Sequence, residues 1–167
     1  MRRFELTKEL LTGVDAIDKH HRTLLELGNR VIDPSAIKTD GPIFEDAIKF
    51  LSDYVMYQFA AEEYVMIESH YPNFEHHHRW HERFKGEVSA YADQAAVGGT
   101  TKDLKLKVSF AIENWMMEHI QITDRSLVQY LQQQQGSADI RLPSVRSLMD
   151  KGKLPGSFTE RLVWARG

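Results

Sequence analysis

The pattern that most constrains this chain is a helical repeat of apolar residues in four long segments. Within each segment the apolar residues recur three or four positions apart, as on one face of an α-helix. The segments cover about 15–31, 43–69, 74–96 and 100–135. Turn-forming residues separate them at Pro34, Asp40-Gly41-Pro42, Tyr71-Pro72 and Gly98-Gly99. Strand signals are almost absent, so the sequence predicts an all-α, up-down-up-down four-helix bundle.

The two ends of the chain differ from the segments between them. Residues 1–14 are predicted to form a short N-terminal arm that packs across the bundle. We expect a bundle domain at 1–136 and a C-terminal extension at 137–167, which serves as a docking tail or a linker. Within the extension, 144–151 is predicted to form a short helix, and Leu162-Val163-Trp164 forms an apolar patch that needs a partner.

Composition narrows the classes of function. A chain of 167 residues with 42% hydrophobic residues suits one domain with an appendage. A net charge of -3 without a long basic run predicts that the protein binds no nucleic acid. The absence of cysteine excludes disulfides and thiolate metal sites. No apolar run approaches the ~18 residues of a transmembrane helix, and no signal-peptide core is present, so we expect a cytoplasmic protein.

Histidines are concentrated in the third segment, in the stretch His76-His77-His78-Arg79-Trp80-His81. Histidine is the commonest metal ligand at physiological pH. His77 and His81 are four residues apart, so on a helix both rings leave the same face and can hold one ion. The alternative interpretation is a solvated, histidine-rich helix.

The other three segments also offer candidate ligands. The first contains His20 and His21, the second Glu62 and Glu63, and the fourth His119 and Asp124. Individually, these side chains have ordinary explanations as surface acids or as a hydrogen-bonded core histidine. Together they place a ligand on each helix of the predicted bundle, which a metal site in the bundle core requires.

These residues resemble those of the bacterial hemerythrins, which are oxygen-binding non-haem diiron four-helix bundles. The resemblance covers about residues 4–131. The stretches that carry it are Gly13-Val14-Asp15-Ala16-Ile17-Asp18-Lys19-His20-His21, Gln58-Phe59-Ala60-Ala61-Glu62-Glu63 with Met66, Tyr71-Pro72 followed by His77 and His81, and Trp115 with His119-Ile120 and Asp124.

The resemblance implies two iron ions, bridged by carboxylates and by an oxo or hydroxo group. His77, His81 and His119 would hold one iron, and His21 would hold the other, on the side where oxygen binds. Glu62 and Asp124 would bridge the two irons. No ligand role carries over to His20. His76 and His78 are predicted to lie on the surface, and His70 is predicted to have a structural or surface position in its turn.

Gln58 departs from the family pattern, because the family has a histidine four residues before the bridging glutamate. The missing imidazole would belong to the iron that binds oxygen. Gln58 could coordinate this iron through its carbonyl oxygen, which is a weaker ligand than imidazole. Alternatively, water or an anion could fill the position and hydrogen-bond to Gln58, or the iron could be bound weakly and lost. We favour the second outcome.

His119 and Asp124 are five residues apart, which corresponds to about 140° on a regular α-helix. Both can reach one metal centre only if the side chains splay or if the helix contains a π-type insertion. We therefore predict a local irregularity between these two residues.

An oxygen adduct also needs an apolar pocket that excludes water. The candidates are residues one turn from the proposed ligands: Leu24 and Leu25 after His21, and Trp115 and Met116 before His119.

The leading functional hypothesis is a diiron protein that binds O2, or a related small exogenous ligand, for oxygen or redox sensing or for oxygen delivery. A signalling partner or output domain could connect through 137–167. An enzyme that reacts with peroxide, O2 or nitric oxide is an alternative. It is disfavoured because oxygen-activating bundle enzymes use carboxylate-rich ligand sets. A structural bundle with a degenerate metal site is a further alternative.

Overall fold

The computed structural model describes residues 3–32, 42–135 and 140–154. A 3-10 turn at Lys8–Leu10 precedes the helices α1 (Asp15–Ile32), α2 (Pro42–Glu68), α3 (Phe74–Gly98) and α4 (Lys102–Asn114). α4 continues directly into a π-helical segment (Trp115–Asp124) and α5 (Arg125–Gln135), and α6 (Val145–Asp150) follows. We call α4, the π-helical segment and α5 together the fourth helix. None of the described residues forms a strand, which confirms the predicted all-α class.

The helices pack as a closed ring. α1 contacts α2, α2 contacts α3, α3 contacts α4, and α4 returns to α1. Short connections reverse the chain between α2 and α3 and between α3 and the fourth helix, as in an up-down bundle. The predicted segments agree with the four observed helices to within two residues at each end. No helix among the described residues is both long enough and apolar enough to span a bilayer.

Two local features shape the contacts between helices: a close approach of α1 to α4 and a tight turn between α2 and α3. Gly28 of α1 lies so close to α4 that a Cβ there would be 2.8 Å from Cδ1 of Ile112, so a larger side chain would require the Ile112 side chain to move. At the turn between α2 and α3, His70 is exposed and has a left-handed φ of 54°. The Tyr71 amide donates to the carbonyl of Met66 at 2.8 Å, which closes the turn as predicted for this position.

The N-terminal arm is held to the bundle by side chains of α1. Asn29 exchanges two hydrogen bonds with the backbone of Phe4, each 2.8 Å long. The carboxylate of Asp18 accepts hydrogen bonds from the amides of Thr12 and Gly13 and from the Thr12 hydroxyl. These contacts confirm that the arm packs across the bundle.

The described part of the C-terminal extension packs on α2. α6 confirms the predicted short helix, and the hydroxyl of Ser144 caps it by accepting a hydrogen bond from the Ser147 amide at 3.2 Å. Leu148 and Leu154 are buried against Ala61. Three predicted features lie outside the described residues. They are the break at Pro34 and Asp40-Gly41, the helix stop at Gly136-Ser137 and the apolar patch Leu162-Val163-Trp164.

Candidate metal centre

The bundle interior contains one cluster of potential metal ligands, to which α1, α2, α3 and the π-helical segment all contribute. Each of the six side chains is fully buried, with a relative exposure of 0%. The structure therefore brings together all six residues that were predicted to be ligands. They are His21, Glu62, His77, His81, His119 and Asp124.

One part of the cluster combines Glu62 with three imidazoles, and their ligand atoms lie within 4.8 Å of one another. Oε2 of Glu62 lies 3.3 Å from Nε2 of His81 and 3.7 Å from Nε2 of His77. The ring centroids of His77 and His119 are 4.8 Å apart. We call this group, formed by Glu62, His77, His81 and His119, the three-histidine half.

The other part of the cluster has one imidazole. His21, Glu62 and Asp124 place a ligand atom each within the same 4.8 Å limit, and we call them the single-histidine half. Oδ2 of Asp124 lies 2.8 Å from Nε2 of His21, whereas Oδ1 lies 3.2 Å from Nε2 of His77. Glu62 therefore belongs to both halves, and Asp124 contacts histidines of both halves.

The inward-facing atoms of the cluster fit a metal. Within the described ranges, Oε2 of Glu62, Oδ1 of Asp124 and Nε2 of His77, His81 and His119 form no well-aligned hydrogen bond. Polar atoms buried in this way destabilise a fold unless something pairs with them. Imidazole nitrogen and carboxylate oxygen are ligands for divalent transition metals, so bound ions would remove this cost.

The backbone of the fourth helix allows His119 and Asp124 to face the same centre. Residues Trp115–Asp124 are π-helical, and π-helical hydrogen bonds join residues five apart. Nδ1 of His119 consequently lies 3.2 Å from Oδ2 of Asp124. The predicted irregularity is confirmed, but it extends over 10 residues rather than a single insertion.

Gln58 reaches the same centre from one helical turn before Glu62. Its side chain is fully buried, and Nε2 donates a hydrogen bond to Oε1 of Glu62 at 3.2 Å. Its carbonyl oxygen accepts no hydrogen bond from any residue that the structure describes. The Gln58 contact is made with Oε1 of Glu62, whereas Oε2 faces His77 and His81. Gln58 thus adds a buried amide oxygen next to Glu62 that can bind a metal or a water.

The carboxylates of the centre are held in their ionised form by the surrounding imidazoles. Burial and the charge of Asp124 act to raise the pKa of Glu62, but the facing imidazoles of His77 and His81 outweigh them and lower it below its ordinary value. Burial also acts to raise the pKa of Asp124, yet the imidazoles around it lower this pKa well below its usual range. Two ionised carboxylates give the centre the negative charge that cations require.

The imidazoles differ in how readily they lose a proton. Burial lowers the pKa of His77, but the facing carboxylates of Asp124 and Glu62 outweigh it and raise that pKa to about 9. Burial lowers the pKa of His119 to about 4. At neutral pH and without metal, His119 is therefore neutral and ready to bind. His77 carries a proton that an incoming metal must displace.

Two further side chains orient His81, and the sequence analysis did not assign them this role. Nδ1 of His81 lies 2.8 Å from Oε1 of Glu63. The ring of Phe59 stacks on the imidazole at 3.9 Å and 3°. A carboxylate behind an imidazole fixes the ring and determines which nitrogen faces the metal. The sequence signal for the Glu63 contact was the pair of adjacent acids Glu62 and Glu63. These two neighbours on α2 face opposite sides of the His81 ring.

The remaining histidines occupy different positions. His76 is exposed, as predicted. His78 was also predicted to lie on the surface; its side chain is 33% exposed, and its Nδ1 lies 3.1 Å from Oε1 of Glu63. Its ring stacks on Phe74 at 5.5 Å. His20 packs against two tyrosine rings of α2, consistent with the absence of an assigned ligand role.

The residues predicted to line a ligand pocket separate into two groups. Leu24, Leu25 and Trp115 are buried in the main core, and the indole of Trp115 meets the imidazole of His21 edge-on at 5.7 Å. They supply an apolar environment beside the single-histidine half. Met116 is half-buried. It packs against the same core and also lines a surface cavity of about 500 Å³ beneath the N-terminal arm.

The chain is similar to proteins of one known family. Residues 12–131 match the family model described as Hemerythrin HHE cation binding domain. The bacteriohemerythrin of Pseudomonas aeruginosa is 30% identical to the chain over 120 residues, which are 72% of this chain and 76% of that protein. The bacteriohemerythrin of Stenotrophomonas maltophilia is 30% identical over 118 residues, which are 71% and 74% of the two chains. The protein therefore belongs to the hemerythrin family of HHE cation-binding domains.

Proposed function

We propose that this protein is a non-haem diiron protein that binds O2, or a related small ligand, for oxygen or redox sensing or for oxygen delivery. The observation that carries the proposal is that Glu62 and Asp124 each face side chains of both halves of the centre. A single ion would need only one half, whereas two shared carboxylates suit a pair of adjacent ions. Membership in the hemerythrin family supports iron as the metal.

In this proposal the three-histidine half holds one iron and the single-histidine half holds the other. The bound iron pair supplies electrons that can be shared reversibly with a small exogenous ligand. Glu63 and Phe59 keep the His81 ring in place, as their contacts indicate. The histidine-rich set favours ligand binding over catalysis, because oxygen-activating bundle enzymes use carboxylate-rich sets.

The single-histidine half is the place where an exogenous ligand would bind. Its own protein ligands are His21 and the shared carboxylates, so it has fewer imidazoles than the other half. Trp115, Leu24 and Leu25 supply apolar surface that excludes water from this side of the core.

Gln58 adds an amide to this half in place of an imidazole. Its Nε2 is already committed to Glu62, so the carbonyl oxygen is the group free to interact with the iron site. We favour a water or anion bound between Gln58 and the iron over direct coordination, since an amide oxygen is a weak ligand that readily accepts a hydrogen bond from water. Weaker protein ligation here favours sensing over reversible carriage.

We also propose that a signalling partner or output domain connects through the C-terminal extension, and that the protein is cytoplasmic. The described part of the extension contacts α2 near the centre. The Tyr57 hydroxyl, next to Gln58, donates to the carbonyl of Pro143 at 3.4 Å, and Leu148 packs on Ala61, next to Glu62. A shift of α2 at the iron pair would therefore reach the extension directly.

Metal analysis and absorption spectroscopy test the proposal together. We expect two iron ions per chain and a charge-transfer absorption characteristic of a bridged pair. A spectrum that changes when O2 is added to the reduced protein and reverts when O2 is removed would support ligand binding. Oxidation without a reversible change would support redox sensing. One iron ion per chain, or none, in both the wild type and an exposed-site control such as His76→Gln, would contradict the proposal.

A further inference from the structure

A second cluster of ligating side chains lies beside the buried centre, at the surface between α2 and α3. It consists of Glu63 from α2 and of His78 and Glu82 from α3. One ligand atom of each residue lies within 4.8 Å of the other two. The proposed diiron function uses none of these three as an iron ligand.

The geometry of this cluster is fixed by its neighbours. His78 and Glu82 are four residues apart on α3, so both side chains lie on one face. Nδ1 of His78 lies 3.1 Å from Oε1 of Glu63, and its Nε2 lies 3.9 Å from Oε1 of Glu82. The ring of Phe74 stacks on the imidazole at 5.5 Å and 7°. This stacking limits the orientations that the imidazole can adopt, which favours the preorganisation that a metal site needs.

The cluster is accessible and negatively charged. The side chains of His78 and Glu82 are 33% and 55% exposed, whereas that of Glu63 is 18% exposed. Lys85 forms an ion pair with Glu82. Ion pairs on a surface contribute little stability, so a divalent cation can displace the ammonium group. One imidazole with two carboxylates suits transition-metal cations such as Zn²⁺, Fe²⁺ or Mn²⁺.

We propose that Glu63, His78 and Glu82 form a second metal site, which takes up a divalent transition-metal cation from solvent. The site is joined to the buried centre through Glu63, because the same oxygen that faces His78 lies 2.8 Å from Nδ1 of His81. A cation that draws on this carboxylate weakens its contact with His81. It thereby changes the ligand strength of His81 toward the buried metal. Occupancy of the surface site consequently tunes the diiron centre.

Zinc titration of the iron-loaded protein tests this site. Wild-type protein is titrated with Zn²⁺ by calorimetry, and iron and zinc are then counted after free metal is removed. We expect one zinc ion per chain to bind while iron is retained, with a shift in the iron charge-transfer absorption. His78→Ala and Glu82→Gln should lose this zinc and the spectral shift. His76→Ala, an exposed histidine of the same stretch, should keep both.

The decisive quantity is the difference in bound zinc between the wild type and His78→Ala. Equal zinc binding by the two proteins, or no zinc bound by either, would overturn the surface site. Zinc binding that leaves the iron absorption unchanged would overturn its link to the centre. If the protein fails to bind iron, the diiron proposal fails separately. The difference in bound zinc between the wild type and His78→Ala, measured on metal-free protein, then still decides whether the surface site exists.

Discussion

The two halves of the buried centre have Glu62 in common and both contact Asp124, but they differ in how completely the protein surrounds the metal. The three-histidine half has imidazoles from α3 and the π-helical segment, and Glu63 supports His81 from behind. The single-histidine half has His21, and an amide lies nearby at Gln58. Imidazole is the stronger ligand for a divalent transition metal, so the two halves are expected to hold their ions with different strength.

This difference separates two tasks within one cluster. The three-histidine half is built to retain an ion, because its ligands are buried, numerous and oriented by further contacts. The single-histidine half is less complete, whereas Trp115 adjoins both halves through His21 and His119. An exogenous ligand should bind where the protein leaves coordination positions open. Changes in the single-histidine half should therefore alter the response to ligand more than they alter metal retention in the other half.

The largest effect is expected from Glu62→Gln, which changes the residue common to both halves. The amide keeps the volume of the carboxylate but removes its charge and one metal-binding oxygen. Both ions lose a ligand, so we expect iron content to fall to near zero, as measured by metal analysis. Glu68→Gln, an exposed acid on the same helix, serves as the control and should retain all iron. A variant that lost iron from one half only would show that Glu62 is not shared.

His21→Gln should affect one half and spare the other. This half has no second imidazole among the described residues to compensate for the loss. We expect one iron ion per chain to remain and the absorption of the coupled pair to disappear. His81→Gln is the matched change in the three-histidine half, where two imidazoles remain. If both variants lost all iron, the two halves would not be separable and the comparison between them would fail.

The sequence was sufficient for the fold and for the six side chains that meet in the bundle interior. Apolar periodicity and turn residues predicted the four helices, because each signal depends only on residues close together in the chain. The five-residue spacing of His119 and Asp124 predicted a helix irregularity, and Trp115–Asp124 is indeed π-helical. The length of that segment was not predictable, since it depends on how the whole fourth helix packs.

Other features of the site depend on how neighbouring helices rotate against each other, which one sequence does not specify. The contacts of Glu63 with His81 and His78 join α2 to α3. Met116, which was predicted to line the ligand pocket, packs against the core and also lines the cavity beneath the N-terminal arm. A residue adjacent to Trp115 on a helix points about 100° away from it, and the additional residues of a π-helix change this direction further.

Glu63→Gln tests whether the contact between Glu63 and His81 strengthens metal binding by the three-histidine half. The amide can still approach His81, but it no longer offers a charged acceptor to Nδ1. Changes of this kind typically weaken metal binding by about 10–100-fold. Competition with a chelator measures the affinity, and we expect the loss to be confined to the three-histidine half. Glu87→Gln, in a surface ion pair with Arg83, is the control. An unchanged affinity would show that Glu63 does not strengthen this half.

Gln58→His would make the two halves more alike. The added imidazole lies one turn from Glu62 and is expected to strengthen the single-histidine half by about tenfold. A stable, reversible spectral change with O2 should then be easier to detect than in the wild type. Gln94→His, at an exposed position of α3, controls for adding a histidine. If iron affinity and the rate of oxidation by O2 both stayed the same, Gln58 would have no influence on this half.

A pH dependence set by His77 is also expected in the three-histidine half. The carboxylates of Asp124 and Glu62 raise its pKa to about 9, whereas an unfolded histidine titrates near ~6.5. In metal-free protein, the stability gained from the protonated ring is fully present below pH ~6.5 and is lost as the pH rises through about 9. Melting temperature should therefore fall over this interval.

Metal binding should show the opposite trend, because a ligating imidazole must be neutral. The apparent affinity of the three-histidine half should rise by at most about tenfold per pH unit and level off above about 9, the pKa of His77. His119, with a pKa lowered to about 4 by burial, does not titrate in this interval. Calorimetry across the interval measures the affinity, and His77→Gln should remove both trends. If affinity rose equally in His77→Gln, the proton would be displaced from another group, and His21 of the single-histidine half, whose pKa is also raised by Asp124, would be the next to test.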